Sequence, residues 1–224
     1  MSDIFIESCI QSKIQNPDIF LSWFSLLEIS QALIENKDNI PLFGTNEFFS
    51  SRKTLTSSHK NPQIIQQDRL NNEILFYLCE TPDLTKWACQ DQRVDGLVFN
   101  AADINRLADE STINLLQENN KCIEINLREI FTNNIPIGYL RNIKKVVFRA
   151  IKKNVAVLIS SYSSYPEELR SRKSIIGFSH FIGMPESYYT DVCQKWLHER
   201  IIRNRKRLND NFISPDIWEI SKGE

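Results

Sequence analysis

The chain has 224 residues, of which 42% are hydrophobic and 25% charged, enough apolar content to bury a full core in one domain and too much for a disordered majority. Its formal net charge is only −1, no stretch approaches the ~18 continuous apolar residues of a membrane span, and the early acids of MSDIFIESC do not make a secretory signal. The five cysteines are odd in number, scattered and never spaced as CxxC, which argues against a disulfide framework or a zinc site and for reduced, buried thiols in a soluble, cytoplasmic protein with no membrane partner.

In chain order, IFIES (Ile4–Ser8) is a short strand, and Pro17 opens a helical stretch, PDIFLSWFSLLEISQALIE. IPLF (Ile40–Phe43) is another apolar run. The polar segment 44–72 follows, a candidate for mobility within which RKTLTSS has strand character. EILFYLCE (Glu73–Glu80), VDGLVFN (Val94–Asn100), KCIEINL and VAVLIS (Val155–Ser160) are predicted buried strands. DLTKWACQDQR, STINLLQENN and Ile137–Lys153 lie between them as helices. Helices over Ser174–Ile182 and from Ser187 to about Leu208 close the chain, before a short tail, 209–224, in which PDIWEI is a further strand candidate. Alternating buried strands and helices imply a parallel sheet covered by helices. Six to eight such units fit one irregular (β/α) barrel domain over 1–224 better than an open doubly wound sheet.

Strand C-termini are where a barrel builds its sites; here they carry Glu7 and Ser8, Glu80, Asn100, Glu124 with Asn126, and Ser160 with Ser161. A metal-dependent hydrolase needs imidazoles and carboxylates converging on an ion. The three histidines, His59, His180 and His198, form no HxH or HExxH pair, and His180 reads as an interior or boundary residue. GxSxG, GxGxxG and P-loop patterns are missing as well, and Cys193 with His198 is a weak nucleophile pair. No catalytic residue and no metal ligand is assigned.

The charge is strongly asymmetric. Residues 141–207 hold 15 Lys or Arg against 5 Asp or Glu, whereas the rest of the chain holds 12 against 23, a distribution that argues for a polyanion on one side. In YLRNIKKVVFRAIKK, Leu140, Ile143, Val147, Ala150 and Ile151 form an apolar stripe; Arg141, Lys144, Lys145, Arg149 and Lys152 fall opposite, with no acid to pair them. PEELRSRKS adds Arg170, Arg172 and Lys173, and HERIIRNRKR adds Arg200, Arg203, Arg205, Lys206 and Arg207, with Ile201 and Ile202 turned inward. Arginine forks suit phosphate oxygens. Tyr162, Tyr165, Tyr188 and Tyr189 make poor stacking platforms and no RNP motif occurs, so phosphate and shape recognition of RNA is expected rather than sequence readout.

VAVLISSYSSYPEELRSRKSIIGFSHFIGMPE resembles the ribonuclease P protein family that includes archaeal component 3 and the eukaryotic thirty-kilodalton subunit, as do RVDGLVFNAADINRLADESTINLLQENNKCIEINLREIF, SSRKTLTSSHKNPQIIQ and ERIIRNRKRL…FISPDIW. The resemblance covers most of residues 50–218. It implies a TIM-like barrel related to polymerase-and-histidinol-phosphatase hydrolases but without their metal cluster. It also implies an RNA-binding subunit of the RNA-based enzyme that removes 5′ leaders from precursor tRNA. In that setting the ribonuclease P RNA performs the chemistry with Mg²⁺, no cofactor binds the chain itself, and a small ferredoxin-like subunit is the protein partner in a paired assembly. Residues 1–140, the acidic part, are left for that partner. By the same resemblance Arg52, Arg106, Arg170, Arg203 and Arg205 are RNA-binding. Two departures stand out: Arg172 where proline is frequent, and Tyr162 where a small residue is usual. A stand-alone metal-dependent phosphoesterase using Glu7 and Glu124, and a protein-only scaffold, are the alternatives.

Overall fold

A computed structural model describes residues 4–11, 17–35, 49–59, 61–132, 136–208, 212–214 and 217–218. Seven strands, β1 (Ile6–Ile10), β2 (Gln31–Glu35), β3 (Phe49–Leu55), β4 (Ile74–Cys79), β5 (Gly96–Phe99), β6 (Cys122–Asn126) and β7 (Val157–Ser160), pair in chain order, every pair parallel. The sheet curls until its edges meet: Ile10 bridges to Ser163, and the Gln11 N–H donates to the Ser163 carbonyl at 2.7 Å. A nearly closed barrel leaves little exposed edge, so its strands are buried on both faces and carry continuous apolar runs. Gly96 on β5 admits no side chain, since a Cβ there would stand 2.6 Å from Phe76 Cε1 and closer still to Cys122 Sγ.

The crossovers are α1 (Pro17–Leu27), α2 (Pro62–Asn71), α3 (Pro82–Gln90), α4 (Ile104–Leu107), α5 (Glu110–Glu118), α6 (Leu127–Thr132) and α7 (Ile137–Lys152). Their starts follow local chemistry. Asn61 and Thr81 cap α2 and α3 with prolines just inside, and Asp109 caps α5. After β7 come α8 (Arg172–Phe181), α9 (Glu186–Tyr188), a π-helical turn (Tyr189–Gln194) and α10 (Lys195–Arg207). A small antiparallel pair, β8 (Phe212–Ser214) with β9 (Ile217–Trp218), stands apart from the barrel and accounts for the PDIWEI strand.

The stretch from Tyr189 to Arg207 runs along the N-terminal rim and closes the barrel floor. Gln194 accepts the Ile6 N–H at 2.8 Å on β1, and Trp196 Nε1 reaches Asn120 Oδ1 at 3.1 Å ahead of β6. Asn204 donates to the Glu73 carbonyl at 2.7 Å ahead of β4, and Arg205 to Ser50 Oγ at 2.8 Å on β3. Leu197, Arg200, Ile201 and Asn204 form the buried face of α10.

One expectation is corrected. The helix opened by Pro17 does not run through QALIE: Glu28 takes a left-handed backbone (φ 61°), and Gln31–Glu35 is strand β2. Part of the polar segment 44–72 is regular, with Phe49–Leu55 in the barrel and Pro62–Asn71 helical; residues 44–48 and the IPLF run lie outside the described residues. All five cysteines are free and buried, and burial pushes the Cys89 and Cys193 thiols up to about 12.

Candidate nucleic-acid interface

The barrel interior, into which the strand-end carboxylates point, is filled by a guanidinium. Arg52 on β3 is fully buried and forks onto Glu124 on β6, with Nη1–Oε1 at 2.8 Å and Nη2–Oε2 at 2.9 Å. Its Nε lies 3.1 Å from Glu35 on β2, and Nη2 also donates to Thr54 and Tyr162 hydroxyls at 3.0 and 3.2 Å. Nη1 further donates to the Ser8 carbonyl, and the guanidinium carbon sits 4.3 Å from the centre of the Phe76 ring. Burial alone would lower the Arg52 pKa; Cys9, Glu124, Tyr162 and Glu35 around it outweigh burial and hold the group well above its ordinary value. Glu124 has no lone oxygen left, because Ser8 Oγ donates to Oε1 at 2.7 Å and Tyr162 OH to Oε2 at 3.1 Å.

Glu7 is committed in the same way. Oε1 accepts Ser160 Oγ at 2.9 Å, Ser161 N–H at 3.0 Å and Cys9 N–H at 3.1 Å, while Oε2 accepts Ser161 Oγ at 2.7 Å. Burial raises its pKa, and these hydrogen bonds, led by Ser161, only partly oppose the rise. Among the described residues no three His, Cys, Asp or Glu are placed to hold a metal ion. The donor set does not fit one: Glu124 is saturated by the Arg52 cation and two hydroxyls, and Glu7 by two hydroxyls and two backbone N–H groups. The strand-end residues thus separate, with Glu7, Ser8, Glu124, Ser160 and Ser161 converging inside, Glu80 and Asn100 exposed, and Asn126 capping Glu129 N–H at 3.2 Å. His180, expected in the interior or at its boundary, is instead exposed on α8.

This interior also sets the surface. Ser161, held by Glu7, accepts the Arg170 N–H at 3.1 Å, so the carboxylate fixes the loop that carries Arg170. Ser171 caps α8 through Ser174 N–H at 3.2 Å, which makes Arg172 the first helical residue. Proline is favoured at that position, so an arginine there leaves the helix start intact. Tyr162 takes a left-handed backbone (φ 53°), which favours a small residue, and its ring fills the barrel while its hydroxyl bonds Glu124.

The predicted RNA-binding residues divide into three groups. Arg141, Lys144 and Lys145 stand exposed on α7, as do Lys152 on the same helix and Lys173 on α8. Arg170 and Arg172 are half-buried at the start of α8, and Arg106 is exposed but forks onto Asp103 at 2.8 and 3.3 Å. The third group is engaged with other parts of the protein, from fully buried to exposed. Arg52 is sealed in the barrel, which corrects its reading as an RNA contact. Arg200, 7% exposed, is another correction: it faces Asp95 at 3.5 Å, lies over Trp196, and turns inward while Ile202 turns out. Arg205 pairs with Glu73 at 2.5 Å; Arg203, largely exposed, lies 3.9 Å from Asp95; Arg149 is half-buried against Asn105 and the Ala108 carbonyl. Within RNRKR, Asn204 and Arg205 tie the run to the barrel floor, while Arg203 and Lys206 keep exposed side chains.

Sequence reasoning missed a row of phenylalanines beside the basic helices. Phe131 on α6 meets Phe178 on α8 at 6.1 Å, edge to face, and Phe178 meets Phe181 at 6.0 Å. Lys144 Nζ lies 4.3 Å above Phe181 and the Arg170 guanidinium 5.8 Å from Phe131. The tyrosines contribute less: Tyr162 and Tyr189 are buried, and Tyr188 donates to the Val155 carbonyl at 2.9 Å.

The family model for RNase P subunit p30 matches residues 53–210. A chain in the cryo-EM structure of archaeal ribonuclease P with mature tRNA superposes with a TM-score of 0.78 at 15% identity, over 98% of this chain and 99% of that one. The histidinol phosphate phosphatase of Lactococcus lactis, solved with zinc, L-histidinol and phosphate, gives 0.55 at 8% identity, over 80% of this chain and 94% of its own. No curated protein sequence matches.

Proposed function

The chain belongs to the RNase P subunit p30 family, and from that premise we propose how it serves ribonuclease P: it binds the RNA through the outer face of α7 and the start of α8 and leaves the chemistry to others. The observation that carries this is the cationic face itself. Arg141, Lys144, Lys145 and Lys152 are exposed along one helix that holds no acid from Tyr139 to Lys153, and Lys173 and Arg170 extend it. Such a face neutralises phosphate and lets a folded RNA keep its shape and its Mg²⁺ at lower salt. The relative in the archaeal complex with mature tRNA supports tRNA as the RNA being processed.

A small ferredoxin-like subunit would sit on the other half. There α1 exposes Ile19 and Leu26, and α2 exposes Ile64 and Leu70, apolar positions suited to a protein partner. A stand-alone phosphoesterase is disfavoured by Arg52, whose charge stands where such an enzyme needs a metal.

The test is 5′-leader cleavage of a precursor tRNA by reconstituted RNA and protein subunits across Mg²⁺ concentrations. Adding this chain lowers the Mg²⁺ requirement, and Arg141→Gln/Lys145→Gln reverses part of the gain while flattening the salt dependence of RNA binding by about one unit of slope per lost contact. A double variant that behaves as the native chain would overturn the assignment of α7.

A further inference from the structure

We infer that the Phe131–Phe178–Phe181 row is a stacking platform for unpaired RNA bases, with Arg170 and Lys144 holding the flanking phosphates. The inference rests on the RNA-binding reading of α7 and goes past it, from phosphate neutralisation to recognition of single-stranded RNA.

Phe131 and Phe181 are 57% and 52% exposed. A lone exposed apolar ring needs no explanation, but these two are joined through Phe178 into a continuous row with a cation against each end. Aromatic faces beside Arg or Lys are what single-strand binders use, because every base has a π-face and brings a phosphate with it. A duplex hides its base faces in the stack, so the row selects unpaired nucleotides.

Charge decides for RNA over a protein. The helices α7 and α8, which carry Lys144, Phe178 and Phe181, hold no acid at all, while Phe131 comes from α6, whose acid is Glu129. Two acids near the row in sequence are engaged within the protein: Glu129 accepts the Ala101 N–H at 3.0 Å, and Glu168 accepts the Ser164 N–H at 2.7 Å and pairs with Arg128 at 3.5 Å, whereas Glu167 is exposed. The platform is also rigidly placed. The Arg170 backbone is tied to Ser161 and thence to Glu7, and Ile175 of α8 is buried in the core.

The experiment uses the full chain with a single-stranded RNA of about twelve nucleotides carrying one fluorescent adenine analogue, against a duplex of the same length. The native chain prefers the single strand and quenches the analogue. Phe131→Ala/Phe181→Ala, shown folded by circular dichroism, loses the quench and weakens single-strand binding at least about five-fold, the low end for one lost stack. Its salt slope stays native, and Phe131→Leu/Phe181→Leu does not rescue it. Arg141→Gln/Lys145→Gln instead flattens the salt slope and keeps the quench. If the alanine variant binds and quenches as the native chain does while the α7 variant loses slope, stacking is wrong and the RNA reading stands. If neither variant changes RNA binding, both fall. If the alanine variant loses only its hold on the other ribonuclease P protein subunits, and leucine restores it, the row is a protein interface and the inference is overturned.

Discussion

Replacing Arg52 by methionine is the most direct test of the barrel interior. Methionine fills most of the volume, so cavity formation contributes little; what is lost is the fork onto Glu124 and the contacts with Glu35, Thr54, Tyr162 and the Ser8 carbonyl. Glu124, fully buried, keeps only Ser8 Oγ and Tyr162 OH as donors. Stranding a buried charge in this way costs about 3–5 kcal/mol, a large share of the ~5–15 kcal/mol that holds a domain folded. Urea titration followed by tryptophan fluorescence reads the loss as a lower midpoint at unchanged m-value. Adding Glu124→Gln removes the stranded charge and recovers about 1–3 kcal/mol of coupling. A single variant within about 1 kcal/mol of native would refute the view that this cation holds the barrel together. At a temperature where Arg52→Met stays folded, its RNA affinity and salt slope match the native chain. A slope lower by about one unit with the fold intact would return Arg52 to the RNA.

Gly96→Ala drives a Cβ into Phe76 and Cys122 at the start of β5. Overpacking there costs about 1–3 kcal/mol, read as a lowered melting temperature that a further Cys122→Ala partly restores. Lys121 is buried beside the floor, donating to the Ala88 carbonyl at 2.8 Å and to the Asp91 carbonyl, and burial lowers its pKa from 10.5 to about 8. Between those two values the unfolded chain binds more protons than the folded one, so stability contributed by this group rises with pH, by up to about 3 kcal/mol in all. The unfolding free energy of the native chain, minus that of Lys121→Met, is expected to climb from pH 8 to pH 10; a flat difference would refute a depressed lysine.

The strand–helix alternation was legible because parallel strands buried on both faces are written as short apolar runs. QALIE escaped because an apolar triplet after a helical pattern fits either element. The break before it is a glutamate, Glu28, in a backbone state normally signalled by glycine or asparagine. Arg200 was readable in principle, since Leu197, Ile201 and Asn204 share its helical face, but its neighbours in a basic run drew it toward the solvent side. Arg52 was not readable at all. A charged residue in a strand declares burial only when its partners are known, and Glu35 and Glu124 arrive from two other strands. The phenylalanine row is similarly non-local, assembled from α6 and α8, whereas the α7 face lies within one helix and could be read directly.

The clasp under the barrel has a consequence for how the protein comes into being. Gln194 bonds Ile6, 188 residues away, Arg205 reaches Ser50 across 155, and Asn204 reaches Glu73 across 131. Such pairings place the molecule at the slow, high-contact-order end of folding, where loop closure must precede the contacts that reward it. During synthesis the seven strands would leave the ribosome before the helix that seals them, so the floor stays open to water until that helix has been made.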